Sequence, residues 1–170
     1  MKFVAETEIA ASAAVVFGFH EAPDAFARLQ PPWQRTEVLQ PPTSLAVGTR
    51  VILRTKVGPL WQTIEAEHVA YEPGVMFADR MVRGPFARWL HRHVVTPRGP
   101  DRCVLVDDID YELPLGAVGR WVGGPIARRQ LARLFAFRHQ VTRAACEGRV
   151  ERPVAGSDDP LRPILRQPTP

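Results

Sequence analysis

The chain has 170 residues, 45% of them hydrophobic and 24% charged, which fits one soluble globular domain with a sizeable core. It has no run of about 18 apolar residues to cross a membrane, and its start, MKFVAETEIA, alternates like a strand instead of carrying a signal-peptide centre, so a cytoplasmic protein is expected. The net charge of +4 comes from arginine, with seven Arg against one Glu between Arg120 and Val150; without interleaved aromatics or a nucleic-acid motif, this reads as a solvated face with at most transient membrane contact.

Lys2 to Ala10 reads as an opening strand. Ser12 caps a short helix through His20, and Asp24 caps a second through Leu29, stopped by Pro31, Pro32 and Trp33. Gln34 to Gln40 is a short strand. Thr49 to Val57 and Leu60 to Ala70 flank Gly58-Pro59, a tight turn that pairs Thr55 with Gln62, Leu53 with Ile64 and Val51 with Ala66. The opposite face then sets Arg50 against Glu67, so the first set points inward.

Val75 to Val82 places Val75, Phe77, Asp79 and Met81 on one side. After the corner RGPFAR, Trp89 to Val95 carries Trp89, His91, His93 and Val95 on its less charged side. Arg102 to Glu112 holds Cys103, Leu105, Asp107, Ile109 and Tyr111 inward. Pro125 to Glu147 advances at about 100° per residue, with Ala127, Leu131, Leu134, Phe135, Val141 and Ala145 on one side and Arg129, Arg133, Gln140, Arg143 and Glu147 on the other. Pro125 suits a first helical turn and Gly148 a C-terminal cap. Arg138, beside Thr142, projects from the apolar stripe and demands a partner. Residues 1–148 form the expected domain, and the Pro-rich residues 149–170 are expected to form a mobile tail whose Leu161, Ile164 and Leu165 can dock.

This order gives an α+β plan, with one sheet curled around one long helix. A corner centred near Pro85 sets Asp79 opposite His91, and a hairpin centred near Gly99 sets His91 opposite Asp107; a two-residue slip in either turn substitutes His93. Two carboxylates beside an imidazole favour its charged form, and Arg138 is the expected counter-charge for Asp79 or Asp107. Three roles stay open for the Asp79, His91, His93 and Asp107 group. It can orient a ligand within a structural network, transfer protons, or bind a metal, the last without a third ligand at characteristic spacing. No metal and no cofactor are expected. Tyr111 and Trp89 read as cavity wall, and His20, His68 and His139 receive no chemistry. Cys103 and Cys146 lack any Cys-x-x-Cys or Cys/His spacing and read as buried thiols. There is no GxSxG, GxGxxG or GxxxxGK[ST].

The stretches GPFARWLHRH, VDDIDYELPLG and LFAFRHQVT resemble the START-like, Bet v 1-like superfamily, and within it the bacterial polyketide cyclase/dehydrase and lipid-transport-like proteins, over about residues 1–147. The resemblance implies a helix-grip fold: a seven-stranded antiparallel sheet wrapped around a long C-terminal helix, two short helices after strand 1, and a hydrophobic cavity between sheet and helix. It leads to the expectation of a carrier or binder of a small hydrophobic molecule such as a lipid, isoprenoid or aromatic polyketide. Leu53, Ile64, Phe77, Met81, Trp89, Ile109, Tyr111, Leu134 and Val141 would form the wall, with Asp79, His91, His93, Asp107 and Arg138 at the polar end. A cyclase or dehydratase with a His/Asp acid–base pair, and a protein-interaction module, are the alternatives; any protein partner is unspecified.

Overall fold

The computed structural model describes residues 1–57 and 59–148, and of Val57 only the backbone. Gly58 of the expected hairpin turn and the expected tail at 149–170 lie outside the described residues. Strand β1 (Lys2–Ile9) is followed by α1 (Ala13–Glu21), whose N-terminus is capped as expected: the Val15 N–H donates to Ser12 Oγ at 3.4 Å. The second helix, α2 (Ala25–Arg28), is a single turn. Its Asp24 makes no side-chain cap and instead lies 3.7 Å from the Arg28 guanidinium.

The sheet continues through β2 (Thr36–Gln40), β3 (Arg50–Val57), β4 (Leu60–Glu72), β5 (Met76–Arg83), β6 (Arg88–Pro97) and β7 (Cys103–Glu112). Its spatial order is β1-β7-β6-β5-β4-β3-β2, and each neighbouring pair is antiparallel. The chain thus runs away from the first strand, folds back along consecutive hairpins, and brings β7 home against β1. The β3–β4 register is the expected one, with Leu53 opposite Ile64, Val51 opposite Ala66 and Arg50 opposite Glu67. Arg50 reaches Glu65 at 2.9 Å and Glu67 at 3.8 Å, opposite charges on the outer face.

The closing helix α3 spans Gly116–Glu147 and so begins well before the expected Pro125. Its first turns, GAVGRWVGG, have low helical propensity, but packing overrides this. Gly123 and Gly124 leave room for Leu113 and Met1, whose side chains would lie 3.2 and 3.0 Å from an added Cβ. Pro125 therefore sits inside the helix, and its missing N–H withdraws a bond from the carbonyl of Trp121, on a highly exposed turn. Gly148 caps the helix as expected, in right-handed conformation with φ −74°.

The α3 backbone runs close to β1 and β7, and α1 lies against β6, β7 and α3. Two apolar clusters result. One joins Ile9, Phe17, Phe19, Phe77, Val95, Leu105 and Cys146 under α1; the other joins Phe3, Ile109, Tyr111, Leu131 and Phe135 under the middle of α3. Together they are the helix-grip arrangement, a curved sheet holding one long helix.

Candidate functional site

Between the two apolar clusters the inward-facing rows turn polar at the same level. On β7 the row reads Cys103, Leu105, Asp107, Ile109, Tyr111, and all five are buried. On β6 it reads Trp89, His91, His93, Val95; on β1, Phe3, Ala5, Thr7, Ile9; on α3, Leu131, Phe135, His139, Thr142, Cys146. Strand alternation and the roughly four-residue helical step therefore deliver Thr7, Asp107, His91, His93 and His139 to one band across the core. Asp79 and His68 extend it over β5 and β4, where they stand opposite each other. His20 enters from α1, its ring centroid 6.0 Å from that of His93. Every histidine of the chain, five in all, is thus in or beside this band.

Asp107 is the hub. Its Oδ1 lies 2.8 Å from His91 Nε2 and its Oδ2 lies 2.6 Å from His139 Nε2. His93 Nδ1 is 2.6 Å from the same Oδ1 but lacks in-line hydrogen-bond geometry. His139 Nδ1 is 2.7 Å from Thr7 Oγ, so a proton on Nε2 lets the ring donate to Asp107 and accept from Thr7. On the other side, Asp79 Oδ2 lies 3.3 Å from His91 Nδ1 and 3.6 Å from His93 Nε2. The His93 ring stacks on Phe77 at 4.0 Å, and the Phe135 ring stands edge-on to His91 at 5.1 Å.

Both ring nitrogens of His91 face carboxylates, and only the doubly protonated ring can donate to both. Burial pulls its pKa down, but the bonds to Asp107 and Asp79 outweigh burial and push it up to about 9. Asp79 and Asp107 are raised by burial and lowered more strongly by the surrounding imidazoles, which hold both well below the usual carboxylate range. His20 goes the other way. Burial and the charge of His93 press it down to about 4, against the opposing effect of the Val16 carbonyl that its Nδ1 meets at 2.9 Å. His68 is lowered chiefly by burial, which Asp79 opposes. A neutral imidazole that resists protonation and an imidazolium that resists losing its proton thus share one interior.

The expected row is present with one displacement. Asp79 stands opposite His91, but β6 and β7 pair His93 with Asp107 and His91 with Ile109, the anticipated two-residue slip. His91 still reaches Asp107 diagonally, so both histidines meet both carboxylates. Arg138 differs more. Its Nε donates to the Leu29 carbonyl at 3.3 Å, its guanidinium lies 5.4 Å from the Phe135 centroid, and no ion pair joins it to Asp79 or Asp107 among the described residues. Both carboxylates still favour its charge from a distance, against burial. The core-facing phase of α3 runs through Leu131, Phe135 and His139; Leu134, Arg138 and Val141 lie on its flanks. The neighbour, His139, thus meets the carboxylate that Arg138 was expected to meet.

Arg138 instead helps hold a strap. Residues 29–35 are tied to α3 by Arg138, by the Trp33–Phe137 ring contact at 5.1 Å and by Arg133 over Trp33 at 4.3 Å. At their other end Gln34 Nε2 donates to Thr55 Oγ on β3 at 2.8 Å. Leu53, Ile64 and Met81, on the inward faces of β3, β4 and β5, remain only half-buried, because the helices run mainly over β1, β6 and β7. Ile109 and Tyr111 are fully packed against Phe3 and Phe135, with Trp89 and Leu134 beside them, and Val141 packs on the other cluster. The fourteen wall and polar positions are therefore split between a packed half and a half-buried one. Asp79, His91 and His93 also bring one donor atom each within 4.8 Å of one another, a set able to hold a divalent cation, although these atoms already contact one another or Asp107.

The profile of the family described as polyketide cyclase/dehydrase and lipid transport matches residues 1–147. No curated protein matches the sequence. Among solved structures, norcoclaurine synthase from Thalictrum flavum, in complex with dopamine and hydroxybenzaldehyde, superposes with TM-score 0.67 at 16% identity, covering 89% of each chain. A START superfamily protein from Mycobacterium smegmatis gives 0.58 at 16%, over 86% of this chain and 97% of its own. The Zhui aromatase/cyclase from Streptomyces sp. R1128 gives 0.55 at 19%, over 87% and 92%. At these identities the likeness is one of fold.

Proposed function

Because the chain belongs to the polyketide cyclase/dehydrase and lipid-transport family, we propose that it binds a small hydrophobic molecule with an oxygen-bearing polar end inside the cup. The observation that carries this reading is the polar band itself: two ionised carboxylates and their imidazoles beside the half-open apolar wall of Leu53, Ile64 and Met81. The wall takes the body of the ligand and the band orients its oxygens. A lipid, an isoprenoid and an aromatic polyketide each have this shape. Solvent extraction of the purified protein with mass spectrometry, and thermal-shift titration with the three classes, test the reading. A ligand at a hundredfold excess over its Kd stabilises by about 2.7 kcal/mol. Leu53→Trp, which fills the wall, should abolish the shift. An empty extract together with no shift from any class would sink the proposal.

A second reading, cyclisation or dehydration of such a ligand, rests on the histidines that the fold gathers in the band. His20 stays a neutral acceptor and His91 a charged donor, with His93 between them, 3.8 Å from His91 by ring centroid. In a dehydration, the acceptor takes the proton from the carbon α to a carbonyl. The donor protonates the β-hydroxyl, and water leaves as the carbon–carbon double bond forms. The longer His91 contact, to Asp79, is the side on which a ligand oxygen competes. Under this reading His91→Gln and His20→Gln each abolish turnover of a β-hydroxy ketone ligand that still shifts the melting temperature; unchanged turnover rules it out.

A further inference from the structure

The first turns of α3 carry an outer face that the fold leaves without a partner. Leu115 is 82% exposed, Val118 65%, Trp121 84%, Val122 57% and Ile126 59%. On a helical projection Leu115, Val118, Val122 and Ile126 lie in one stripe about 80° wide, opposite the buried face of Gly124, Ala127 and Leu131. A helix apolar on both sides is ordinarily covered on both. Trp121 projects to one side of the stripe, beyond Val118. Arg129 lies within the stripe and Arg128 beside Trp121, both exposed and neither in an ion pair among the described residues, and α3 has no acidic residue before Glu147.

We propose that this segment, Leu115–Arg129, docks on an anionic phospholipid surface. Charge decides between the candidate occupants. A second copy placed on the same face by a two-fold axis would set arginines against arginines with no acid to relieve them. Anionic headgroups supply the missing negative charge along the whole stripe. The combination of apolar stripe, an interfacial tryptophan and flanking arginines is that of a helix lying in the headgroup plane. The helix itself is not apolar enough to cross a bilayer. Leu115 and Gly116, both left-handed at φ 67° and 56°, turn the chain sharply out of β7 and set the helix at its angle to the sheet. Gly119 keeps that turn tight, since a Cβ there would meet the Pro114 carbonyl. The apolar stripe is thereby held on a rigid element.

Co-sedimentation of the full chain with phosphatidylcholine vesicles, with and without phosphatidylglycerol, tests the proposal. Binding is expected only to the phosphatidylglycerol vesicles, weakening with salt, with a blue shift of tryptophan fluorescence that Trp121→Ser removes. Trp121→Ser with Val122→Ser should reduce affinity by about tenfold or more. Arg128→Ala and Arg129→Ala should each reduce it about fivefold. All four positions are exposed, and circular dichroism verifies that the variants fold. Equal binding to neutral vesicles, no binding to either, unchanged binding in both sets of variants, or a dimer by light scattering that the Trp121/Val122 variant dissolves, would each overturn it.

Discussion

Replacing Asp107 by Asn removes one negative charge from the centre of the core at almost constant volume. The rise of the His91 pKa from 6.5 to about 9 corresponds to about 3 kcal/mol of folded-state preference for the charged ring, shared between Asp107 and Asp79. Asp107 makes the shorter contact, 2.8 against 3.3 Å, and also holds His139 at 2.6 Å, so its charge accounts for the larger share. Asp107→Asn is expected to cost about 2–3 kcal/mol near pH 6. Because the folded-state pKa of His91 is raised, its contribution is fully present below 6.5 and lost as pH rises through about 9. The difference between wild type and variant should therefore shrink between pH 6.5 and 9, while lysine and tyrosine titrations cancel. Urea denaturation of both proteins from pH 6 to pH 10 measures it. A loss below about 1 kcal/mol at pH 6, or a loss that does not vary with pH, would refute the assignment of Asp107 as the hub.

Further consequences follow from other residues. His20, held down to about 4, should show no imidazole protonation by NMR until well below pH 5, and stability should fall as pH drops from 6.5 towards 4, because the unfolded ring gains its proton first; His20→Phe should flatten that limb. Thr7→Val leaves the Nδ1 of His139 facing a methyl group and should cost about 1–3 kcal/mol by denaturation, despite the near-identical shape. Gly119→Ala, which on helical propensity alone should stabilise by about 1 kcal/mol, places a Cβ against the backbone carbonyl of Pro114 and should instead lower Tm.

The strand order and most of the sheet register are legible in the chain because alternation has a period of two and the Gly/Pro corners between strands are short. Asp79 facing His91 follows directly from the compact corner at RGPFAR. The β6–β7 turn is longer and its centre ambiguous by one position, which shifts the pairing by two residues and explains why His93, not His91, faces Asp107. His139 was hidden for a different reason. A histidine scores as polar, so hydropathy alone runs the helical stripe through Leu134 and Val141 on either side of it; the four-residue steps Leu131, Phe135, His139 mark the core-facing line. His20 and His68 receive no chemistry from the sequence because they stand far along the chain from the other residues of the band. Their convergence is made by packing α1 onto the sheet and by the pairing of β4 with β5. The early start of α3 was illegible because its glycines read as breakers, whereas in the fold they let Met1 and Leu113 approach the helix.

Apolar side chains flank this polar band on both sides in the helix-grip core. Phe3, Phe135 and Ile109 on one side, and Phe77, Val95 and Leu105 on the other, show that β1, β5, β6, β7 and α3 readily supply apolar side chains at neighbouring levels. A buried ionic cluster is often matched or exceeded in stability by well-packed apolar residues of similar volume. Here the chain places both carboxylates and the imidazoles at one level, connects them through Thr7, His139, Asp107, His91 and Asp79, and leaves the adjoining wall at Leu53, Ile64 and Met81 half-open. A purely structural network needs its polar groups satisfied but gains nothing from an open apolar flank. A ligand site needs both, a charged end that fixes orientation and an unfilled wall that accepts an apolar body. The pairing of these two features on one face of the sheet is the ground on which the proposal of a ligand-orienting band stands.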